Sequence, residues 1–240
     1  MKRPEYGETW VYESIVGALP GIDLPPSVAI GIQFGLFEVA LLALAWYYDL
    51  WSAALAGTVA VAVAAVGSAE MLRIGRLARR GDAPVAYTRL LFGSSIEVVL
   101  AVLAYVALVT HLFVFDPRTG GTPLVETLFG PEPPILAVYL MLLVLWDVCY
   151  RIGTGWWASV VALWRSTQCE LHPTARRAFV RADLETMAFG LVQLVLAPFL
   201  VGRPVLLFAL VGHVVAVTVV TALSLAVLHA RGADGVSVPT

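Results

Sequence analysis

The sequence contains very little charge. Only 13% of its 240 residues are charged, whereas soluble domains have about a quarter. There is no asparagine and only one lysine, Lys2, so arginine carries nearly all of the positive charge. The net charge of −2 gives no electrostatic reason to expect nucleic acid as a partner. This composition argues against an ordinary soluble domain and against a nucleic-acid-binding protein.

Cysteine is also scarce. The chain has two cysteines, Cys149 and Cys169, which are too few for a disulfide framework. We expect Cys149 in an apolar helix and Cys169 in a loop, so the two should not pair. The first 26 residues contain several acids and no compact apolar stretch, so we expect no cleavable signal peptide.

Long apolar stretches dominate the rest of the sequence. The chain is 60% hydrophobic, with a mean hydropathy of +0.85. A helix that crosses a bilayer core of about 30 Å needs about 20 apolar residues. We therefore predict an all-α, polytopic integral membrane protein with six transmembrane helices in one bundle. The predicted spans are residues 28–50, 53–74, 86–108, 135–157, 178–200 and 205–228.

The arginines predict the orientation. Basic residues cluster after span 2, between spans 4 and 5, and at both termini, whereas the opposite side has only Arg118 and Arg203. By the positive-inside rule the clustered side is cytoplasmic. We therefore expect a multi-pass protein of the cell membrane with both termini in the cytoplasm. The clustered residues are Arg73, Arg76, Arg79, Arg80, Arg89, Arg165, Arg176, Arg177 and Arg181.

Composition divides the chain into three parts. Residues 1–26 form a cytoplasmic and interfacial segment, residues 27–230 the transmembrane domain, and residues 231–240 a flexible tail. Residues 10–15 are too short and polar to span, so they predict an interfacial helix. Trp156 and Trp157 predict the inner interface of span 4, because indole rings prefer headgroup depth. The longest loop, residues 115–134, could contain a short surface helix at residues 124–129.

Ionisable side chains interrupt five of the six apolar stretches near their middles. At 1.5 Å per residue these groups lie about 7–12 residues inside their spans, which predicts a similar depth toward the bilayer midplane. An ionised group there costs roughly 2.5–3.5 kcal/mol, so such residues usually face a bundle interior or a water-filled path. These residues are Glu38, Glu97, Asp147, Glu185 and His213.

The charges of this layer do not balance. Arg151 lies four residues after Asp147 and so shares its helix face. One arginine and one histidine can offset at most two of the four carboxylates, so the remainder must be protonated, hydrated or bound to a cation. We therefore predict that the buried acids converge on a shared hydrated or ion-occupied space. Nearer the cytoplasmic ends, a second group predicts an inner vestibule: Glu70, Arg73, Arg89 and Arg181.

This pattern favours a transporter or channel that moves a cation, either H⁺ itself or a cation coupled to H⁺. In this hypothesis the four acids bind or relay the cation, Arg151 controls their protonation and moves between carboxylate partners, and His213 is a proton shuttle. The expected partners are the lipid bilayer and a small cation.

Two other readings remain open. The same carboxylates could serve a membrane-embedded enzyme or metal-binding protein, with a bound divalent cation. No catalytic residues and no organic cofactor are predicted, because the di-iron, zinc-protease and serine-hydrolase motifs are absent, so an enzyme is the less favoured reading. Alternatively, the protein is an assembly scaffold whose ion pairs only fix helix packing.

Small residues predict close helix contacts. Span 1 has Gly31 and Gly35 at four-residue spacing, and span 2 has a stripe of Ala56, Ala60, Ala64 and Ser68. Such faces join helices within a subunit or between the copies of a homo-oligomer.

An internal repeat is a further hypothesis. Spans 2–3 and 4–5 could be related hairpins, since Glu70 precedes Arg73 much as Asp147 precedes Arg151. Residues 153–155, Gly-Thr-Gly, could unwind span 4 locally, as broken helices do in transporters.

Overall fold

The computed structural model describes residues 9–11, 25–79 and 83–234. Within these ranges the chain is helical and has no strand. The third span continues beyond Thr110 in a π-helical and a 3₁₀ turn to Arg118, and the fifth continues beyond Val192 in a 3₁₀ segment to Leu200. The helices are α1 (Pro26–Tyr48), α2 (Trp51–Ala78), α3 (Val85–Gly93), α4 (Ile96–Thr110), α5 (Leu124–Phe129), α6 (Ile135–Gln168), α7 (Pro173–Val192) and α8 (Pro204–Asp234).

Six helical segments are long and apolar enough to cross a membrane, as expected of a multi-pass membrane protein. Each of the six predicted stretches coincides with one of these segments, and the third and fourth segments, at 34 residues each, extend furthest beyond their predicted ends. The bilayer thickness determines how many residues must be apolar, but it does not determine how far the helix continues beyond the bilayer. The segments are Ser27–Tyr48, Trp51–Ala78, Val85–Arg118, Ile135–Gln168, Pro173–Leu200 and Pro204–Arg231.

Helix α6 is the centre of the bundle, because it contacts α1, α2, α3, α4, α7 and α8. Its approach to α4 depends on Gly153. A Cβ atom at Gly153 would lie 2.9 Å from the backbone nitrogen of Ala101. The glycine therefore serves close contact, and the unwinding predicted at residues 153–155 does not occur, since α6 is continuous there.

The broken helix is in span 3 instead. Helix α3 ends at Gly93, Ser95 has the left-handed φ of 50°, and α4 begins at Ile96. The indole nitrogen of Trp157 donates to the carbonyl of Leu91 at 3.2 Å. Trp157 is therefore buried within the bundle, and the prediction that it marks a membrane interface is wrong. The indole N–H of Trp157 thus provides a hydrogen-bond donor for the Leu91 carbonyl, which lies in the last turn of α3, where the helix breaks.

The start of the chain also contributes to the core. Of the predicted interfacial helix, residues 10 and 11 lie inside the described ranges and residues 12–15 lie outside them. Trp10 is fully buried, donates its indole N–H to the carbonyl of Met71 at 2.8 Å and meets the Phe92 ring edge-on. At Trp10 the interfacial prediction is wrong, because the ring finds both apolar neighbours and an acceptor inside the bundle.

The two ends of the bundle differ. The loop end, where α1 meets α2, carries α5, and this confirms the predicted short helix at Leu124–Phe129. The arginine-rich end is where α6 meets α7. There α8 continues to Asp234, beyond the predicted end at residue 230, and Arg231 donates to the carbonyls of Thr167 and Cys169. Residues 235–240 lie outside the described part of the chain.

The two predicted small-residue faces have different outcomes. Ala60, Ala64 and Ser68 of α2 are buried against neighbouring helices. By contrast, added Cβ atoms at Gly31 and Gly35 would meet nothing within 4 Å. The face on α1 therefore joins no other helix within the described part of this chain.

We expect Gly153→Ala to lower the free energy of unfolding by about 1–3 kcal/mol, because its methyl group would meet backbone that cannot move aside. Gly31→Ala is the matched control and should change it by less than about 0.5 kcal/mol. Unfolding titrations in mixed micelles with increasing SDS measure both. Equal effects of the two variants would contradict the assigned α4–α6 contact.

Candidate functional site

The most completely partnered charge near the middle of the bundle is Asp147. Its Oδ1 atom pairs with Arg151 Nη2 at 2.8 Å, and its Oδ2 atom accepts from Gln33 Nε2 at 2.9 Å. Arg151 Nη1 faces the sulfur of Met71 at 3.0 Å. This confirms the predicted shared face of Asp147 and Arg151, and it brings α1, α2 and α6 to one point.

The space for Arg151 comes from a glycine on α2. A Cβ atom at Gly67 would lie 2.8 Å from Arg151 Cβ and 2.7 Å from the ring of Phe189. Arg151 is only 1% exposed and Asp147 is 15% exposed. Because the guanidinium is desolvated, it depends on the carboxylate for charge compensation.

A small cavity lies beside Asp147. Gln33, Ser68 and Asp147 provide its polar wall, and its volume is about 10 Å³. That is close to the space needed by a single water molecule. This cavity therefore has room for one hydrogen-bonded water but is too small for a hydrated metal ion.

Glu38 has a separate partner. Its Oε1 atom accepts from Thr58 Oγ1 at 2.7 Å, and its Oε2 atom has no hydrogen-bond partner among the described residues. Glu38 follows Gln33 by five residues on α1, which places it about 7 Å nearer the loop end than the Asp147 pair. The two acids therefore occupy different depths.

Glu185 belongs to the arginine-rich end. Its Oε2 atom lies 2.5 Å from Arg73 Nε and its Oε1 atom 3.0 Å from Arg181 Nε. Close by on α2, Glu70 accepts a hydrogen bond from Thr186 at 2.8 Å. Glu70, Arg73 and Arg181 of the predicted vestibule thus come together. Glu185 and Thr186 of α7 connect them, and Arg89 takes no part. Arg89 is exposed on α3 and makes no ion pair with the described part of the chain.

Glu97 and His213 stand apart from both groups. Glu97 lies in the first turn of α4 and is fully buried, and neither of its carboxyl oxygens has a hydrogen-bond partner among the described residues. His213 is half-buried on α8, with its ring 6.4 Å from that of Trp156. Neither residue shares a described contact with Asp147 or Arg151.

The structure therefore does not bring the five predicted midplane groups into one shared site. No three His, Cys, Asp or Glu side chains within the described ranges lie close enough to hold a metal ion. Counting residues along a span predicts depth, but the direction in which each side chain points depends on helix rotation. Asp147, Glu38 and Glu185 then bond to separate local partners, which are glutamine and arginine for Asp147, threonine for Glu38 and arginines for Glu185.

The charged residues at equivalent positions of the two hypothetical hairpins make different contacts. Asp147 pairs within its own helix, whereas Glu70 and Arg73 each bond to α7. Glu97 is buried without an ion pair, and Glu185 has two arginine partners. These contacts give the internal repeat no support.

Sequence reasoning misses the most deeply buried ion pair. Arg165 Nη2 lies 2.7 Å from Asp183 Oδ2, with both side chains at most 3% exposed. Ser224 donates to the same oxygen at 2.8 Å, and the guanidinium stacks 4.2 Å from the Phe179 ring. The sequence predicts Arg165 in a cytoplasmic loop because the apolar count ends span 4 too early. The signal that could have corrected this is the absence of proline or glycine between Trp157 and Arg165.

We expect Asp183→Asn to destabilise the fold by roughly 3–5 kcal/mol, because it leaves the Arg165 guanidinium buried without a counter-charge. The matched control is Glu185→Gln on the same helix. Its arginine partners are 46% and 72% exposed, so water can replace the lost pairing and the cost should stay below about 1 kcal/mol. SDS unfolding titrations compare the variants, and a reversed order would refute the assigned roles.

Comparison with known proteins adds a family but no activity. No curated protein and no solved structure matches the chain. Residues 5–224 match the model of a family of unknown function, DUF7530, and the chain belongs to that family.

Proposed function

We propose that this protein moves protons, alone or coupled to a second cation, across the cell membrane by a route along α2. The observation that carries the proposal is the Gln33–Asp147–Arg151 group with its one-water cavity. This group lies between Glu38 toward the loop end and the Glu70–Glu185 group toward the arginine-rich end. Together these polar groups form the α2 route.

Hydrogen-bonding side chains on α2 lie at Thr58 and again from Ser68 to Arg73, and Glu38 and Gln33 of α1 lie beside the apolar stretch between them. Thr58 bonds Glu38, Ser68 lines the cavity beside Asp147, Glu70 bonds Thr186 and Arg73 bonds Glu185. From residue 58 to residue 73 the helix rises about 22 Å, which is most of a hydrocarbon core of about 30 Å. Short side-chain movements, assisted by single waters, would connect neighbouring groups.

The size of the cavity favours a proton over larger ions. A volume of about 10 Å³ holds one water, and a proton can pass between hydrogen-bonded groups without a wider path. Within the described residues, the hydrogen-bond partners of Glu38 and Glu70 are threonine hydroxyls. Because a protonated carboxyl can also bond a hydroxyl, each can exchange a proton without losing its partner.

Arg151 is the control element of this proposal. Arg151 pairs with Asp147, and a proton that arrives on Asp147 would weaken this pairing and release the guanidinium. The Met71 sulfur beside Nη1 is a weak acceptor, so it opposes such a movement less than a carbonyl would. Release of Arg151 toward Glu70, the residue next to Met71, would couple the middle of the route to its arginine-rich end.

Reconstituted vesicles with an entrapped pH-sensitive dye test the proposal. A potassium diffusion potential should drive proton uptake through the wild-type protein, and Asp147→Asn should slow it by about tenfold or more, since the relay loses its central titrating group. Glu38→Gln should slow it as well. Glu126→Gln, on the exposed face of α5, is the matched control and should leave the rate unchanged.

Absence of proton or cation flux from correctly inserted wild-type protein would refute the proposal and favour a scaffold with structural ion pairs. A flux that survives Asp147→Asn would refute the α2 route specifically.

We also propose that the arginine-rich end faces the cytoplasm, following the positive-inside rule. Cys169 lies directly after α6 at that end, and burial raises the pKa of its thiol, so labelling should be carried out at mildly alkaline pH to supply thiolate. The other cysteine, Cys149, is buried. A membrane-impermeant maleimide should leave Cys169 unlabelled in intact cells and label it after permeabilisation.

The control for labelling is Gly121→Cys in a Cys169→Ser background. Gly121 is exposed at the loop end with open space around it, so this variant should be labelled in intact cells. The opposite pattern for the two positions would invert the proposed orientation.

A further inference from the structure

A second and larger cavity lies in the loop-end half of the bundle. It has a volume of about 140 Å³ and lies among α1, α2, α5 and α6, with Leu112 of the third span at its edge. On α2 its wall runs from Ala53 to Ala60, which is the first two to three turns from the loop end. Val144 lines both this cavity and the small one beside Asp147.

The wall of this cavity is apolar throughout. All of its lining residues are Leu, Ala, Gly, Val, Phe or Met. Part of the small-residue stripe of α2 creates the space, because Ala56 and Ala60 face the cavity. A cavity of about 150 Å³ with such a lining excludes water and binds small hydrocarbons. The wall therefore selects hydrocarbon and offers a polar ligand no side-chain partner.

Helix α5 covers the cavity at the loop end, and polar contacts hold α5 in place. Leu124, Val125, Leu128 and Phe129 of α5 all line it. The start of α5 is held by Asp116, which accepts from the Leu124 amide at 2.5 Å and pairs with Arg203 at 2.7 Å. Arg203 also bonds Thr122 and Thr127. Four residues of the cover thus stand between the cavity and the aqueous end of the bundle.

The sides of the same helices face a hydrocarbon environment. On α1, α2 and α6 the neighbouring side chains Leu36, Leu55 and Leu136 are 68%, 62% and 58% exposed. Exposed leucines at this density are expected where lipid is the solvent. Because α5 covers the loop end of the cavity, an opening between these helices would meet the hydrocarbon of the bilayer.

From this geometry we infer that the cavity opens between the helices toward the bilayer and binds a short segment of one acyl chain of a membrane lipid. The chain enters from the bilayer between the helices, and its headgroup stays at the loop-end surface. Recognition rests on the chain and not on the headgroup, since the wall has no polar side chain. The inference depends on membrane placement and is independent of proton movement along the α2 route.

Native mass spectrometry of detergent-purified protein, after reconstitution with palmitoyl-oleoyl phosphatidylglycerol, tests the inference. The wild-type protein should retain one lipid, and Ala56→Phe, which fills the cavity, should lower the retained fraction roughly tenfold. Ala43→Phe places the same ring on an exposed position of α1 and should retain the lipid. Phosphatidylcholine with the same chains should be retained equally well.

A melting experiment separates occupancy from misfolding. Added lipid should raise the melting temperature of the wild-type protein and of Ala43→Phe, because a ligand that binds only the folded state stabilises it. It should leave Ala56→Phe unchanged. If Ala56→Phe does not fold, Leu128→Trp fills the cavity from α5 and should give the same loss of lipid.

Three results would overturn the inference. Equal lipid retention by wild type and both cavity-filling variants would place the lipid elsewhere. A wild type without lipid, together with a higher melting temperature for Ala56→Phe, would show an empty cavity. If the protein retained a second copy of itself and no lipid, the cavity would be part of a contact between subunits.

Discussion

Much of this structure depends on the cost of placing a guanidinium among apolar helices. Helix α6 carries two buried arginines, Arg151 and Arg165, and each is held by one carboxylate. Breaking such a pair is costly, because the remaining charge has neither water nor a partner. The Arg165–Asp183 pair joins α6 to α7, and the hydrogen bond from Gln33 to Asp147 joins α6 to α1, so these two contacts restrict the rotation of α6 against its neighbours.

Close approach of the backbones is the second requirement, and glycine provides it where the charges lie. Gly67 makes room for the Arg151 side chain, and Gly153 lets α6 touch the backbone of α4. The break at Ser95 adds a further demand, which Trp157 meets by bonding Leu91. A bulkier residue at Gly67 would displace the Arg151 side chain, and one at Gly153 would push the backbone of α4 away from α6.

The sequence was sufficient to predict those features that depend on the length of an apolar stretch or on the spacing of residues along a helix. Hydrocarbon thickness sets the six spans, and four-residue spacing sets the Asp147–Arg151 pair. It was insufficient where the outcome depends on which way a helix is turned. Glu38 and Glu185 have similar calculated depths, yet one bonds Thr58 and the other bonds arginines at the end of the bundle. Burial of Trp10 was missed for a related reason, because local composition does not reveal a distant cleft between helices.

The burial of Trp10 has a consequence for the order in which the protein is assembled. Its acceptor is the carbonyl of Met71 and its ring partner is Phe92, both of which are synthesised long after it. Trp10 therefore cannot complete its native contacts until Phe92, in the third span, has been synthesised and has taken its place. During biogenesis this part of the core closes only after that later span has joined it.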